Sequence, residues 1–239
     1  MKLDILAIGA HPDDVELGCG ALLAKEVSRD KKVGIIDLTR GELGTRGTAE
    51  TRDAESFNAA KILGIHSRYN MQFADGFFTN DKKHQIEIIK MIRFYKPEIV
   101  ICNAEEDRHI DHAKGSKLVS DACFLSGLRK IETIDKENNK QDAWRPKAVY
   151  HYVQWQDLQP DVVVDVSGYM DKKMEAVLAY KTQFYDPKNS EPETPISSKN
   201  FTDSIKYRAR NLGRLVGVEY AEGFTVERYP AVESLFHLK

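Results

Sequence analysis

The chain predicts an α/β fold: a single domain over residues 1–239, with a mainly parallel sheet flanked by helices. Three observations carry this. Runs of strand length, apolar in Leu3–Gly9, Val33–Leu38 and Glu98–Cys102 and mixed in Ser67–Phe73, alternate with longer stretches patterned as helices. The first joints between them are short, so strand, helix and strand form βαβ units, which imply a parallel sheet. No internal repeat, low-complexity tract or shift in composition marks a domain boundary. An open sheet of this Rossmann-like kind binds ligands at the carboxyl ends of its strands.

The elements follow in order. Leu3–Gly9 is apolar apart from Asp4 and forms the first strand. Pro12 fits the first turn of a helix, where its missing N–H costs nothing. Val15, Leu17, Leu22, Leu23 and Val27 give the helix Val15–Val27 its apolar face, and Gly18 and Gly20 let it pack closely on the sheet. After the second strand, Val33–Leu38, residues 39–48 hold three glycines and two arginines and form a loop on the same rim as His11. Glu50–Leu63 is a helix closed by Gly64. Ser67–Phe73 is the third strand, Asp81 caps the helix Lys82–Tyr95, and Glu98–Cys102 is the fourth strand. A helix runs from about His112 to Leu128, and polar residues 130–142 form an exposed excursion. Ala148–Val153 and Val162–Val166 are strands and Asp171–Lys181 a helix. Asp186–Asn200, with three prolines and no periodicity, is a long loop of the kind that serves as lid, interface or binding loop. Ser204–Val216 is a last helix, and Glu219–Val226 a final edge strand.

Composition narrows the function. Hydrophobic residues make up 41% and charged residues 30%, which suits a globular chain. The net charge of −2 gives no basic field for nucleic acid. No apolar run reaches the roughly 20 residues of a membrane span, and Met1-Lys2-Leu3-Asp4 does not read as a signal peptide. Cys19, Cys102 and Cys123 contain no CxxC pair, which suits a reduced cytoplasm and argues against a cysteine zinc site.

Two clusters carry the chemistry. Ala10-His11-Pro12-Asp13-Asp14-Val15-Glu16 follows the first strand, and Arg108-His109-Ile110-Asp111-His112 follows the fourth. Imidazole and carboxylate groups bind zinc, and a catalytic site needs three protein ligands with one position open. His11 and Asp14 are spaced to face one ion, and His112 is the best third ligand, because the first and fourth strands are neighbours in a common doubly wound order. The bland alternative is that Asp13 and Asp14 merely suit a helix N-terminus. Asp13 is the spare carboxylate, placed to move a proton. His109 is either a fourth ligand or an oxyanion-stabilising group, and Asp111 either orients an imidazole or caps a helix. Glu42, Arg46, Arg52 and Arg108 are candidates for substrate binding; guanidinium groups grip carboxylates through paired hydrogen bonds, although arginines on a rim are also ordinary surface charge. His66, His84, His151 and His237 are structural or exposed, and Tyr152 and Trp155 are core or pocket wall. No first-turn GxGxxG, no P-loop and no Gly-x-Ser-x-Gly elbow occurs.

The first cluster together with His-Ile-Asp-His resembles the LmbE/PIG-L zinc-dependent de-N-acetylases. Residues 39–52 (TRGELGTRGTAETR), 109–117 and 220–230 (YAEGFTVERYP) are similar to the bacillithiol-biosynthesis branch, which removes the acetyl group from N-acetylglucosaminyl malate. The resemblance implies one Zn2+ per chain held by His11, Asp14 and His112, with other first-row divalent ions also suited to such ligands. It implies Asp13 as general base and then acid, His109 as the oxyanion-side group, Asp111 as its partner and Arg52 facing substrate. Malate would suit the arginines. It also implies a homo-oligomer, several relatives being hexameric, acting in the cytoplasm on a small-molecule amino-sugar conjugate, with neither nucleic acid nor membrane as partner. The alternatives are a de-N-acetylase or amidase of another sugar or of thiol S-conjugates such as mercapturic acids, and a non-enzymatic metal-dependent binding protein.

Overall fold

Every residue of the first strand, β1 (Ile5–Gly9), is buried, because the strand lies at the middle of the sheet with helices on both faces. Its side chains alternate between two cores. Leu6 and Ile8 join the cluster under α3 (Lys82–Tyr95) and α4 (Ile110–Ser126), whereas Ile5 and Ala7 join the cluster under α1 (Asp14–Val27). The computed structural model describes residues 1–238. Its other elements are β2 (Val33–Thr39), α2 (Ala49–Leu63), β3 (Ser67–Phe73), β4 (Ile99–Cys102), β5 (Ala148–Tyr152), β6 (Val162–Asp165), α5 (Met170–Leu178), α6 (Lys199–Leu215) and β7 (Ala221–Val226).

The seven strands form one sheet in the order β3-β2-β1-β4-β5-β7-β6. The first five pair in parallel, and β7 alone runs against its neighbours β5 and β6. The mainly parallel α/β prediction therefore holds, and β1 and β4 are the expected neighbours. The last strand is a correction: β7 lies inside the sheet and β6 is the edge. Its buried Ala221, Phe224 and Glu222 reflect that position.

Two helices also depart from expectation. The α6 helix begins at Lys199, five residues before Ser204, because the Ser198 hydroxyl accepts the Phe201 N–H and caps it. The α1 helix begins at Asp14 with Asp13 as N-cap, which leaves Pro12 in the preceding turn. It breaks at Cys19 (φ −143°, ψ 20°), and the carboxylate of Glu222 accepts the N–H groups of Ala21 and Leu22 at 3.2 and 2.8 Å just beyond. A Cβ on Gly18 would lie 2.1 Å from the Tyr152 ring, so β5 packs against bare backbone there; Gly20 faces Lys173 of α5 instead of the sheet. Among the described residues, no helix is long and apolar enough to cross a membrane.

Candidate metal and active site

The site forms where β1 and β4 end side by side and the chain leaves β1 for α1. Asp14, the first residue of α1, lies under two imidazoles. Its Oδ1 is 3.2 Å from His112 Nε2, and its Oδ2 is 3.5 Å from His11 Nδ1. Neutral donors hold that carboxylate still: Gln154 Nε2 donates to Oδ1 at 2.6 Å, while the His11 N–H and Asn103 Nδ2 donate to Oδ2 at 2.9 and 3.1 Å. Asn103 is anchored in turn by the Ala10 N–H, which it accepts at 2.8 Å.

The far nitrogen of each imidazole meets another carboxylate. His11 Nε2 lies 3.0 Å from Asp75 Oδ1 and 3.4 Å from Asp111 Oδ2, and His112 Nδ1 lies 2.6 Å from Asp107 Oδ2. This is the arrangement that orients metal-ligating histidines. The ligand atoms of His11, His109 and His112 also lie within 4.8 Å of one another. So do those of His11, Asp75 and Asp111. The cluster can hold a metal ion.

The electrostatics agree. Burial would lower the pKa of His112, but Asp14 and Asp107 outweigh it and bring the value up to about 9; His11 is likewise raised against burial by Asp111, Asp14 and Asp75. Burial would raise Asp14, and the two histidines hold it well below the carboxylate range. The pocket thus favours positive charge where the imidazoles converge. His109 goes the other way, lowered by burial and by the charges of His11 and His112.

Asp13 sits beside this cluster in left-handed backbone (φ 109°). Its Oδ2 accepts from Arg52 Nη2 at 3.0 Å, and the same Nη2 donates to the Pro12 carbonyl. Burial pushes Asp13 up to about 7, further than Arg52 pulls it back. Arg52 reaches in over Gly41 (φ 63°), where a Cβ would collide with the guanidinium at 1.8 Å.

The other expected residues divide. Arg52 and Arg108 line the pocket of about 440 Å³ above the cluster. Arg46 does not: its guanidinium donates to the carbonyls of Pro192 and Glu191 at 2.6 and 3.2 Å and ties down the loop before α6. Glu42 accepts the N–H groups of Asp75 and Arg40, and so positions Asp75 without facing the pocket. The Asp111 carboxylate serves His11 rather than His109; only its main-chain N–H reaches His109, donating to Nδ1 at 3.2 Å. The unforeseen participants are Asp75, Asn103, Asp107 and Gln154. Asn103 and Asp107 carried a signal, since both lie between β4 and the second histidine cluster, whereas Asp75 and Gln154 come from loops without a motif. His151 is buried as expected, yet it has an acidic partner in Glu227 at 3.3 Å.

Comparison with known proteins fits this geometry. Residues 6–123 match the family model PIG-L, GlcNAc-PI de-N-acetylase. A solved structure of the conserved protein TT1542 from Thermus thermophilus is 33% identical, covers 98% of both chains and superposes with a TM-score of 0.85. The chain belongs to the PIG-L/LmbE family. Among curated family relatives, the Uncharacterized deacetylase YaiS of Escherichia coli is 44% identical over 45% of this chain, and the match spans 61% of YaiS. The Diacetylchitobiose deacetylase of Thermococcus kodakarensis is 26% identical over 92% of this chain and 81% of its own length. The Probable N-acetyl-alpha-D-glucosaminyl L-malate deacetylase 2 of Bacillus subtilis is 27% identical over 77% of this chain and 84% of its own.

Proposed function

We propose that the protein is a metal-dependent de-N-acetylase of an N-acetylglucosamine conjugate, with His11, Asp14 and His112 as metal ligands. One observation carries this: a single buried carboxylate, Asp14, is shared by two imidazoles that are each oriented from behind by another carboxylate. Family membership supports the reaction. Zinc suits the nitrogen and oxygen donors; when bound, such an ion supplies Lewis acidity toward the amide carbonyl and toward a water.

The chain's own residues do the rest. Asp13 takes a proton from the attacking water and delivers it to the departing amine, so that amide and water become acetate and free amine. Its pKa of about 7 suits both transfers, and Arg52 fixes its direction through the 3.0 Å hydrogen bond. His109 accepts the Asp111 N–H at Nδ1, so its neutral ring carries the proton on Nε2. That N–H is the donor for the carbonyl oxygen as it gains negative charge.

The finer substrate reading is N-acetylglucosaminyl malate. The Bacillus subtilis relative and the similarity of residues 39–52 and 220–230 to the bacillithiol branch support it. The test is acetate release by the purified protein from N-acetylglucosaminyl malate, N,N'-diacetylchitobiose and a mercapturic acid. Preference for the malate glycoside is expected. Preference for chitobiose would keep the reaction and replace the substrate, and no acetate from any of the three would remove the deacetylase reading.

A further inference from the structure

Four arginine and lysine side chains line the pocket, and they are not equivalent. Arg52 is engaged with Asp13 at 3.0 Å, and Lys173 with the buried Glu222 at 2.6 Å. Arg108, from the loop after β4, has no carboxylate partner: among the described residues its guanidinium makes no hydrogen bond or ion pair, and it lies over the Trp155 ring, 4.6 Å from the centroid. Arg208, on α6, donates from Nη2 to the Trp155 carbonyl at 2.8 Å and from Nε to the exposed Asp157 at 3.2 Å. Two guanidinium groups from distant parts of the chain therefore converge on one tryptophan.

That tryptophan is held firmly. Phe201 stacks on it at 5.4 Å, and Phe184 stacks on Phe201 at 6.2 Å. Its main-chain N–H points to Asp107 Oδ2 at 3.4 Å, the same oxygen that lies 2.6 Å from His112 Nδ1. The platform is thus registered to the metal cluster through one carboxylate. The Arg108 guanidinium, lying over the indole, keeps its N–H edge available in its own plane, the geometry for paired hydrogen bonds to a carboxylate; Arg208, whose Nε and Nη2 are engaged, adds Nη1 and its charge beside it.

We propose that Arg108 and Arg208, arranged around Trp155, are the specificity-determining pair that binds a carboxylate on the non-reacting end of the substrate. The inference rests on the deacetylase reading and adds to it the residues that recognise an anionic aglycone. It assigns to Arg208 and Arg108 together the recognition that the sequence had spread over Arg46, Arg52 and Arg108.

The test compares wild type, Arg108→Met, Arg208→Met and Arg208→Lys, loaded with zinc, on N-acetylglucosaminyl malate and on methyl N-acetylglucosaminide. Each Met variant is expected to lower the ratio of the two kcat/KM values by about 10- to 100-fold, the size of a lost charge-assisted hydrogen bond, mainly through KM for the malate glycoside. Arg208→Lys should recover part of the ratio, because the charge returns without the planar fork. Calorimetric binding of glucosaminyl malate against methyl glucosaminide gives the same comparison without turnover. An unchanged ratio in both Met variants, in kinetics and in binding, overturns the inference. Absence of acetate from every substrate overturns the deacetylase reading instead, and the binding ratio still decides the role of the arginines.

Discussion

Asp13 combines three features that a structural carboxylate has no reason to combine: left-handed backbone, nearly complete burial, and a guanidinium partner at 3.0 Å. A non-glycine residue at such a φ costs about 1–3 kcal/mol and persists where its surroundings over-determine it. Asp13→Asn keeps the shape and tolerates that backbone, so it should fold and bind metal while turnover falls roughly 10²- to 10⁴-fold; turnover and metal content measured on one preparation check this. The pH dependence has a definite sign. A carboxyl raised to about 7 is neutral below that pH and ionised above it, and the base must be ionised. The kcat/KM profile should therefore rise through an acid limb near or below pH 7, since a cation beside Asp13 favours its ionised form. Removing the Arg52 charge in Arg52→Met should move that limb upward. His11, Asp13 and Asp14 were legible in the sequence because they sit within four residues at a strand end, and His109 and His112 because they sit within four residues after another. Asp75 and Asp107 were not given roles, because the carboxylate behind an imidazole has no fixed spacing: one is 64 residues from its histidine, the other five.

Helix α1 is held by a device that leaves no mark in its own sequence. Its break at Cys19 frees N–H groups that Glu222 accepts from β7, two hundred residues away, and Lys173 neutralises that carboxylate. Glu222→Ala would leave a buried lysine and two amides without their acceptor, a loss of about 3–5 kcal/mol to be read by denaturant unfolding. Gly18→Ala drives a methyl into the Tyr152 ring and should cost about 1–3 kcal/mol or more. Boundaries set by local chemistry were readable, as in β3, the Asp81 cap of α3 and the Gly64 cap of α2. The start of α6 was hidden because its first turn, Lys199–Thr202, has no apolar period of its own and depends on the Ser198 cap.

The whole sheet explains why two motifs a hundred residues apart form one site. Parallel pairing of β1 with β4 puts Ile8 beside Cys102, so the turns that follow open on the same rim. That adjacency was predictable from the βαβ pattern, whereas the insertion of β7 between β5 and β6 was not, because an antiparallel return carries no crossover signal. A cation gathered by His11, Asp14 and His112 would bind only the folded chain. Zinc at about 100 times its Kd should then add about 2.7 kcal/mol of stability, and His112→Ala should abolish most of that gain in thermal unfolding. The most direct measurement is acetate release from N-acetylglucosaminyl malate by the zinc-loaded protein, repeated after chelation and after zinc is restored. Turnover that disappears with chelator and returns with zinc is the predicted result. Equal turnover by metal-free protein, or no acetate from protein with zinc bound, would contradict a metal-dependent deacetylase built on these residues.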